Sequence, residues 1–251
     1  MSGLAPRVHR ACVVVPTYDN PRTVRGVVEQ ARAHLPHVLL VDDGSGPEGR
    51  EACEALAAEG LAEVIRRDRN GGKGAAVKTG FEAARARGFT HALQVDADGQ
   101  HDLGRMPAFL QASREKPDAL VLGCPEYGAS APRARLAARR ITRFWVDLEV
   151  GGRHIIEDAM VGFRVYPLAA ALAARARGNR MDFDVEIAVR LAWAGLPIVN
   201  LPVGVRYLPA VEGGVSHFQP LLDNLRLAWL HSRLCTVGAT RWCMRKLGLV
   251  R

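Results

Sequence analysis

Short apolar runs alternate with amphipathic stretches along the first 150 residues. Ala11 to Pro16, Val38 to Val41, Leu61 to Ile65, Ala92 to Val95 and Ala119 to Leu122 are each of strand length and rich in aliphatic side chains. Between them, Pro21 to about His34 and Gly72 to Arg87 have helical spacing, the second with apolar positions at Ala75, Val77, Phe81 and Ala84. A further helix precedes Ala119. Strands alternating with helices predict a mostly parallel, doubly wound α/β sheet. The runs are continuous rather than alternating, as in strands covered on both faces. Past residue 150 the rhythm loosens: Val161 to Tyr166 reads as a strand, Asp182 to Ala194 as a helix, and Ile198 to Tyr207 as strand material broken by Pro202. No internal repeat or linker is evident. The expected division is a tail over residues 1–9, one catalytic domain over 10–208, and a loop with amphipathic helices over 209–251.

Three polar clusters fall where apolar runs end: Thr17-Tyr18-Asp19-Asn20, Asp42-Asp43-Gly44-Ser45 and Asp96-Ala97-Asp98-Gly99. Open α/β sheets bind ligands at that edge. In extended chain Asp96 and Asp98 point to the same side, and two carboxylates so placed can hold a hard divalent cation. Such an ion can bridge the phosphates of a nucleotide and stabilise a departing diphosphate. Gly71, Gly72 and Gly74 permit close backbone approach, with Lys73 in reach of a phosphate. Alone, each cluster also fits a bland role: Asp42 to Ser45 as a turn with a helix N-cap, Gly71 to Gly74 as a helix start.

Composition narrows the partners. With 48% apolar and 24% charged residues the chain resembles an ordinary soluble protein. Its 34 basic against 26 acidic side chains give +8, which favours anionic partners. Aromatics are only 6% and no nucleic-acid module is present, so nucleic-acid binding is not expected. Five scattered cysteines without metal-ligand spacing read as reduced thiols of a cytosolic protein. No signal peptide is visible at Met1 to Val8, and no run approaches the ~20 apolar residues of a membrane span.

Val15-Pro16-Thr17-Tyr18-Asp19-Asn20, Val41-Asp42-Asp43-Gly44-Ser45, Asn70-Gly71-Gly72-Lys73-Gly74 and Asp96-Ala97-Asp98-Gly99-Gln100-His101 occur in that order. Asp158-Ala159-Met160-Val161-Gly162-Phe163-Arg164 and Phe183-Asp184-Val185-Glu186 follow. Together they resemble family 2 glycosyltransferases of the GT-A fold, in particular the dolichyl-phosphate mannose synthase branch, whose members transfer sugars to polyprenyl phosphates. The resemblance covers roughly residues 10 to 208. It implies a metal-dependent inverting transferase using a GDP- or UDP-sugar and a polyprenyl phosphate or other lipid-like acceptor. It also implies a cytoplasmic protein at or near the inner face of the cell membrane.

The resemblance further implies residue roles. Pro16, Tyr18, Asn20, Val41, Asp43, Lys73, Asp96, Ala97, Asp98 and Arg206 would bind the nucleotide, with Asp43 on the base. Asp98 and Gln100 would ligate Mg²⁺ or Mn²⁺, with Asp96 nearer the ribose and donor sugar. Asp184 stands where relatives with hydroxyl acceptors place a general base. Phe183 replaces the glutamate of those relatives, which favours a phosphate acceptor needing no base. Asp158 and Arg164 would frame the acceptor, or Arg164 would pair with Asp158 or Glu186. Two departures stand out. Gly123-Cys124-Pro125 lacks the Gly-Ser-Arg arginine, and Glu212 to Phe218 replaces a basic loop, leaving Arg206 or His217 to cover the diphosphate and Gly213-Gly214 to form a lid.

Arg133, Arg135, Arg139, Arg140 and Arg143 surround Leu136, Ile141, Phe144 and Trp145; from Leu221, a stripe of Leu222, Leu225 and Trp229 is accompanied by Arg226, Arg233, Arg241, Arg245 and Lys246. Such helices pack on a core, meet a partner or lie in a membrane interface. Gly238 is expected to divide the last into two pieces. Nucleotidyl transfer and a catalytically silent nucleotide-binding subunit of a membrane enzyme are the competing assignments.

Overall fold

Residues 8–127, 133–206 and 220–246 are described by a computed structural model. In β1 (Ala11–Thr17), Val13 and Val15 enter one core layer while Cys12 and Val14 enter the other, all without solvent exposure. Side chains of a strand alternate between its faces, so a strand covered twice must be apolar throughout. With β2 (Val38–Asp42), β3 (Glu63–Arg66), β4 (His91–Gln94), β5 (Leu120–Tyr127), β6 (Arg164–Pro167) and β7 (Ile198–Val205), it forms a seven-stranded sheet of order β3-β2-β1-β4-β6-β5-β7. Pairing is parallel except for β6, which runs antiparallel to both β4 and β5.

One face carries α1 (Val24–His34), α2 (Pro47–Ala58) and α4 (Met106–Glu115), which bury Val27, Leu56 and Phe109 among others. The other carries α3 (Lys73–Ala86), α6 (Leu168–Ala173) and α7 (Asp182–Trp193). On that face α5 (Arg133–Val150) contributes Val146, and α8 (Pro220–Lys246) contributes Leu227, Leu230 and Leu234. Register places the ends of β1 and β2 level, with Thr17 opposite Asp42, and Val95 N–H continues to Val14 O at 3.1 Å. The three polar clusters therefore emerge along one edge of the sheet.

The expected α/β sheet is present, with local differences. The Val161 strand begins only at Arg164, and α1 begins at Val24 after a turn over Pro21 to Thr23. The helices α2 and α6 were not expected. Pro202 does not break β7, because β7 is an edge strand, paired along its length with β5 and bridged on its other side only near Val205, and tolerates a residue without an N–H. Gly238 does not divide α8, which is continuous. A Cβ there would lie 3.5 Å from Trp193 Cζ2, an ordinary contact distance, so α8 crosses α7 here without needing a glycine. The proposed lid of Glu212 to Phe218, with His217 and Gly213-Gly214, lies outside the described residues, as do the side chains of Arg133, Arg135, Arg245 and Lys246.

Gly80 lets α3 approach the sheet: a Cβ there would sit 2.4 Å from Val14 Cγ1 and 3.2 Å from Val41 Cγ2. Alanine would gain about 1 kcal/mol in helix propensity, but overpacking a filled core costs about 1–3 kcal/mol or more. Gly80→Ala is therefore expected to lower stability in urea denaturation despite its better propensity.

Candidate active site

Residues 42 to 45 build a rigid corner. Asp42 Oδ1 accepts from Ser45 N–H at 2.8 Å and its Oδ2 pairs with Arg66, so this aspartate serves the turn. Gly44 has φ +78°, and a Cβ on it would lie 2.8–2.9 Å from the backbone of Arg69 and Asn70. The loop after β3 thus packs against the corner and closes around Asp43. Its Oδ1 accepts from Gly71 N–H at 3.1 Å and from Arg67 Nη1, and its Oδ2 from Gly72 N–H at 2.7 Å.

Gly72 also begins α3, placing Lys73 in the first helical turn. Lys73 Nζ lies 2.7 Å from Asp184 Oδ2, 2.9 Å from Asp96 Oδ2 and 2.8 Å from Asp96 Oδ1. The hydrogen bond is directed at Oδ2; Oδ1 has the charge nearby but no aligned donor. Burial alone lowers the pKa of Lys73, yet Asp184 and Asp96 outweigh it and hold the ammonium protonated. Burial raises Asp96, but Lys73 and then His101 reverse this and keep it ionised. Asp98 differs. Burial, followed by repulsion from Asp96, pushes its pKa up, and His101, the Gln100 N–H and Lys73 only partly offset this.

That imbalance fits a cation. Asp98, Asp96 and Gln100 line one cavity and offer hard oxygen donors. Among the described residues no cluster of three His, Cys, Asp or Glu side chains exists that could enclose an ion. The remaining positions would fall to water and to a ligand's phosphates, the usual habit of Mg²⁺ and its analogues. Gly162 allows the chain to pass here, since a Cβ would meet both Asp96 carboxylate oxygens at 2.3 Å.

The cavity, about 320 Å³, brings together Pro16, Tyr18, Asn20, Asp43, Lys73, Asp96, Ala97, Asp98 and Gln100, as the motifs led one to expect. Asn20 anchors its corner by donating to Tyr18 O at 2.9 Å. Other expected residues lie elsewhere. Val41 is a wholly buried core side chain that does not line the cavity. Arg206 donates its backbone N–H to Gln100 O at 2.8 Å, and its residue is exposed beside the cavity wall at Val205. Asp184 is 3% exposed and lies beneath Lys73, also accepting from Gln94 Nε2 at 3.3 Å. Arg164 has no exposure. It donates to Val161 O at 2.6 Å, Ala159 O at 2.7 Å and Asp184 O at 2.6 Å, and so cannot reach an acceptor. It pairs with neither Asp158 nor Glu186; its nearest carboxylate is Asp184 at 4.0 Å. Asp158 accepts from Met160 and Val161 N–H at 2.7 and 2.9 Å and pairs with Arg139, outside the cavity lining.

Several lining residues went unanticipated as site members: Arg180 and Met181 before α7, Arg139 on α5, and Asp223 with Arg226 on α8. The last pair, 2.7 Å apart, is polar at i, i+3 within an otherwise apolar stripe. That interruption was the available signal.

A strand-end carboxylate pair, a glycine loop clamping a buried aspartate and a lysine at a helix start thus line one cavity. Residues 12–169 match the family model described as Glycosyl transferase family 2. The chain belongs to glycosyl transferase family 2. Among its relatives, this family 2 transferase is 26% identical over 205 residues to polyprenol monophosphomannose synthase of Mycolicibacterium smegmatis, covering 77% of this chain and 76% of that one. It is 26% identical over 209 residues to undecaprenyl-phosphate mannosyltransferase of Micrococcus luteus, covering 77% and 82%. Its fold resembles that of glucosyl-3-phosphoglycerate synthase from Mycobacterium tuberculosis, crystallised with phosphoglyceric acid, with a TM-score of 0.66 at 16% identity over 91% of this chain and 80% of that one. The sheet is thus of the GT-A type.

Because the folded state raises the pKa of Asp98, its ionised form opposes folding above the ordinary carboxylate range. Asp98→Asn is expected to raise stability at pH 7 by about 0.5–2 kcal/mol in thermal melts. Calorimetry on the same variant should show at least about tenfold weaker Mn²⁺ binding. A variant of lower stability with intact Mn²⁺ binding contradicts the assignment.

Proposed function

We propose that this enzyme transfers a glycosyl group, with inversion, from a nucleoside-diphosphate sugar to the phosphate of a polyprenyl phosphate at a membrane surface. One observation carries the acceptor class: the helices that wall the cavity also carry an exposed apolar face. Arg139 of α5 lines the cavity, while Ile141, Phe144 and Leu148 of the same helix are 62%, 64% and 59% exposed. Asp223 and Arg226 of α8 line it, while Leu222, Leu225 and Trp229 stand in solvent. An acceptor with an anionic head and an apolar tail matches that junction of arginines and exposed side chains. The names of both mannosyltransferase relatives support the same class. No helix among the described residues is long and apolar enough to cross a membrane, so contact through this face is peripheral.

The chemistry agrees. The carboxylates lining the cavity are Asp43, Asp96, Asp98 and Asp223, and each already accepts a hydrogen bond. Asp184, at the place where relatives with hydroxyl acceptors have a base, is held by Lys73. A phosphate oxygen arrives charged and needs no proton removed, whereas a hydroxyl would. Asp98 and Gln100 would hold Mg²⁺ or Mn²⁺, which would supply charge stabilisation to the leaving diphosphate. Lys73 faces the same phosphates from the start of α3, whose N-terminal N–H groups favour anions. Asp184 and Arg164 are positioning residues: Asp184 fixes Lys73, and Arg164 fixes the Asp184 backbone. Tyr18 offers its ring to the base or ribose. Arg139, Arg180 and Arg226 attract the acceptor phosphate.

With a radiolabelled sugar nucleotide, the protein should glycosylate undecaprenyl phosphate and leave undecaprenol untouched; equal rates on both would refute the acceptor assignment. Phe144→Glu combined with Trp229→Glu should abolish flotation with phosphatidylglycerol vesicles without changing nucleotide affinity. Retained flotation places membrane contact elsewhere.

A further inference from the structure

We propose that Lys78 is a positioning residue: it holds the loop over residues 174–181 and so sets Arg180 against the acceptor. This rests on the acceptor function proposed above. The loop joins α6 to α7 and contains neither helix nor strand. Arg175 within it has φ +48° without being glycine, a left-handed conformation that persists where surrounding contacts impose it. Of the three arginines assigned to the acceptor phosphate, Arg139 and Arg226 stand on helices and Arg180 stands on this loop. A helical side chain keeps its place with its helix, whereas one on a loop needs supporting contacts.

One ammonium supplies most of them. Lys78, in the second turn of α3, donates from Nζ to Ala176 O at 3.3 Å, Gly178 O at 3.0 Å and Asn179 Oδ1 at 2.7 Å. All three of its donors are used. The three oxygens converge on one point, and without the cation between them they would repel. Burial pulls the pKa of Lys78 down and Arg67 adds to this, while Glu186, Asp182 and Glu82 oppose it. Its Nζ also lies 5.9 Å from the centre of the Phe183 ring, which fixes the stem of the side chain. From α7, Glu186 Oε2 accepts from the N–H groups of Arg177 and Gly178 at 2.9 and 2.6 Å. Gly178 is therefore pinned from both sides, its carbonyl to α3 and its N–H to α7. One residue on, Asn179 O accepts from Ala75 N–H at 3.0 Å, and Arg180 follows into the cavity wall, with Nη1 3.4 Å from Asn70 Oδ1.

Lys78→Met keeps the apolar stem and removes the charge. With its fold checked by circular dichroism, trypsin should cut the full-length variant after Arg175 or Arg177 at least about tenfold faster than wild type, as read by mass spectrometry. Its KM for undecaprenyl phosphate should rise about tenfold, while kcat and the KM for the sugar nucleotide hold within about twofold. Added to Arg180→Met, the same change should raise the acceptor KM no further, since the group it positions is gone. Cleavage no faster than wild type overturns the hold on the loop. An unchanged acceptor KM, or a further rise in the Arg180→Met background, overturns the action through Arg180. A wild-type protein that leaves undecaprenyl phosphate unglycosylated overturns the acceptor function instead, and the cleavage rates then still decide whether Lys78 holds the loop. Where Lys78→Met does not fold, Asn179→Ala removes the shortest of the three contacts and should show the same effects at about threefold; no change there overturns the proposal.

Discussion

The site depends on one ammonium shared between two aspartates. Lys73, Asp96 and Asp184 come from three separate parts of the chain, and their contacts of 2.7–2.9 Å join the donor loop, the end of β4 and the first turn of α7. A lysine in the first turn of a helix is opposed by the helix dipole, and burying it adds a desolvation cost. Two carboxylates offset both. Counting the buried Arg164 beside Asp184, two cations balance two anions, and Asp98 is the charge left over. The local electrostatics therefore concentrate unmet negative charge at the residue that faces the cavity.

A second set of polar contacts ties the acceptor wall to this centre. Glu149 of α5 accepts from His231 of α8 at 2.7 Å, and Trp145 stacks over the same imidazole. Glu186 of α7, fully buried, meets Arg233 of α8 at 2.9 Å and Arg190 at 2.7 Å. Its Oε2 also accepts from the N–H groups of Arg177 and Gly178, at 2.9 and 2.6 Å, which begin the loop carrying Arg180 into the cavity. One glutamate thus couples the outer helix to the nucleotide side.

Most of the sheet was legible because strands covered on both faces are largely continuous apolar runs, as β1 and β2 show before their polar ends. Motif residues such as Asp43, Lys73 and Asp98 were legible because strand ends and glycine turns mark them. What stayed hidden is three-dimensional. Val41 and Arg164 sit within motifs, but the direction of a side chain from its strand sends both into the interior. Asp184 stands at the base position of relatives with hydroxyl acceptors, and nothing in the sequence showed that Lys73 closes over it. The α2 helix has Leu56 as its one large aliphatic side chain, its other apolar positions being alanine and cysteine, and stayed hidden as well. Arg226 and Asp223 interrupt an apolar stripe, but that interruption marks a site only once α8 is laid across the cavity.

The unbroken course of α8 has a consequence for how this protein can vary. Each residue added to a helix turns everything beyond it by about 100°. Asp223 and Arg226 must face the cavity while His231 and Arg233 meet their glutamates, so a single insertion or deletion between residues 223 and 233 would misalign one pair or the other. Length along that stretch is constrained as strongly as identity. Beyond Arg233, where fewer partners fix the helix, drift in length carries a smaller penalty.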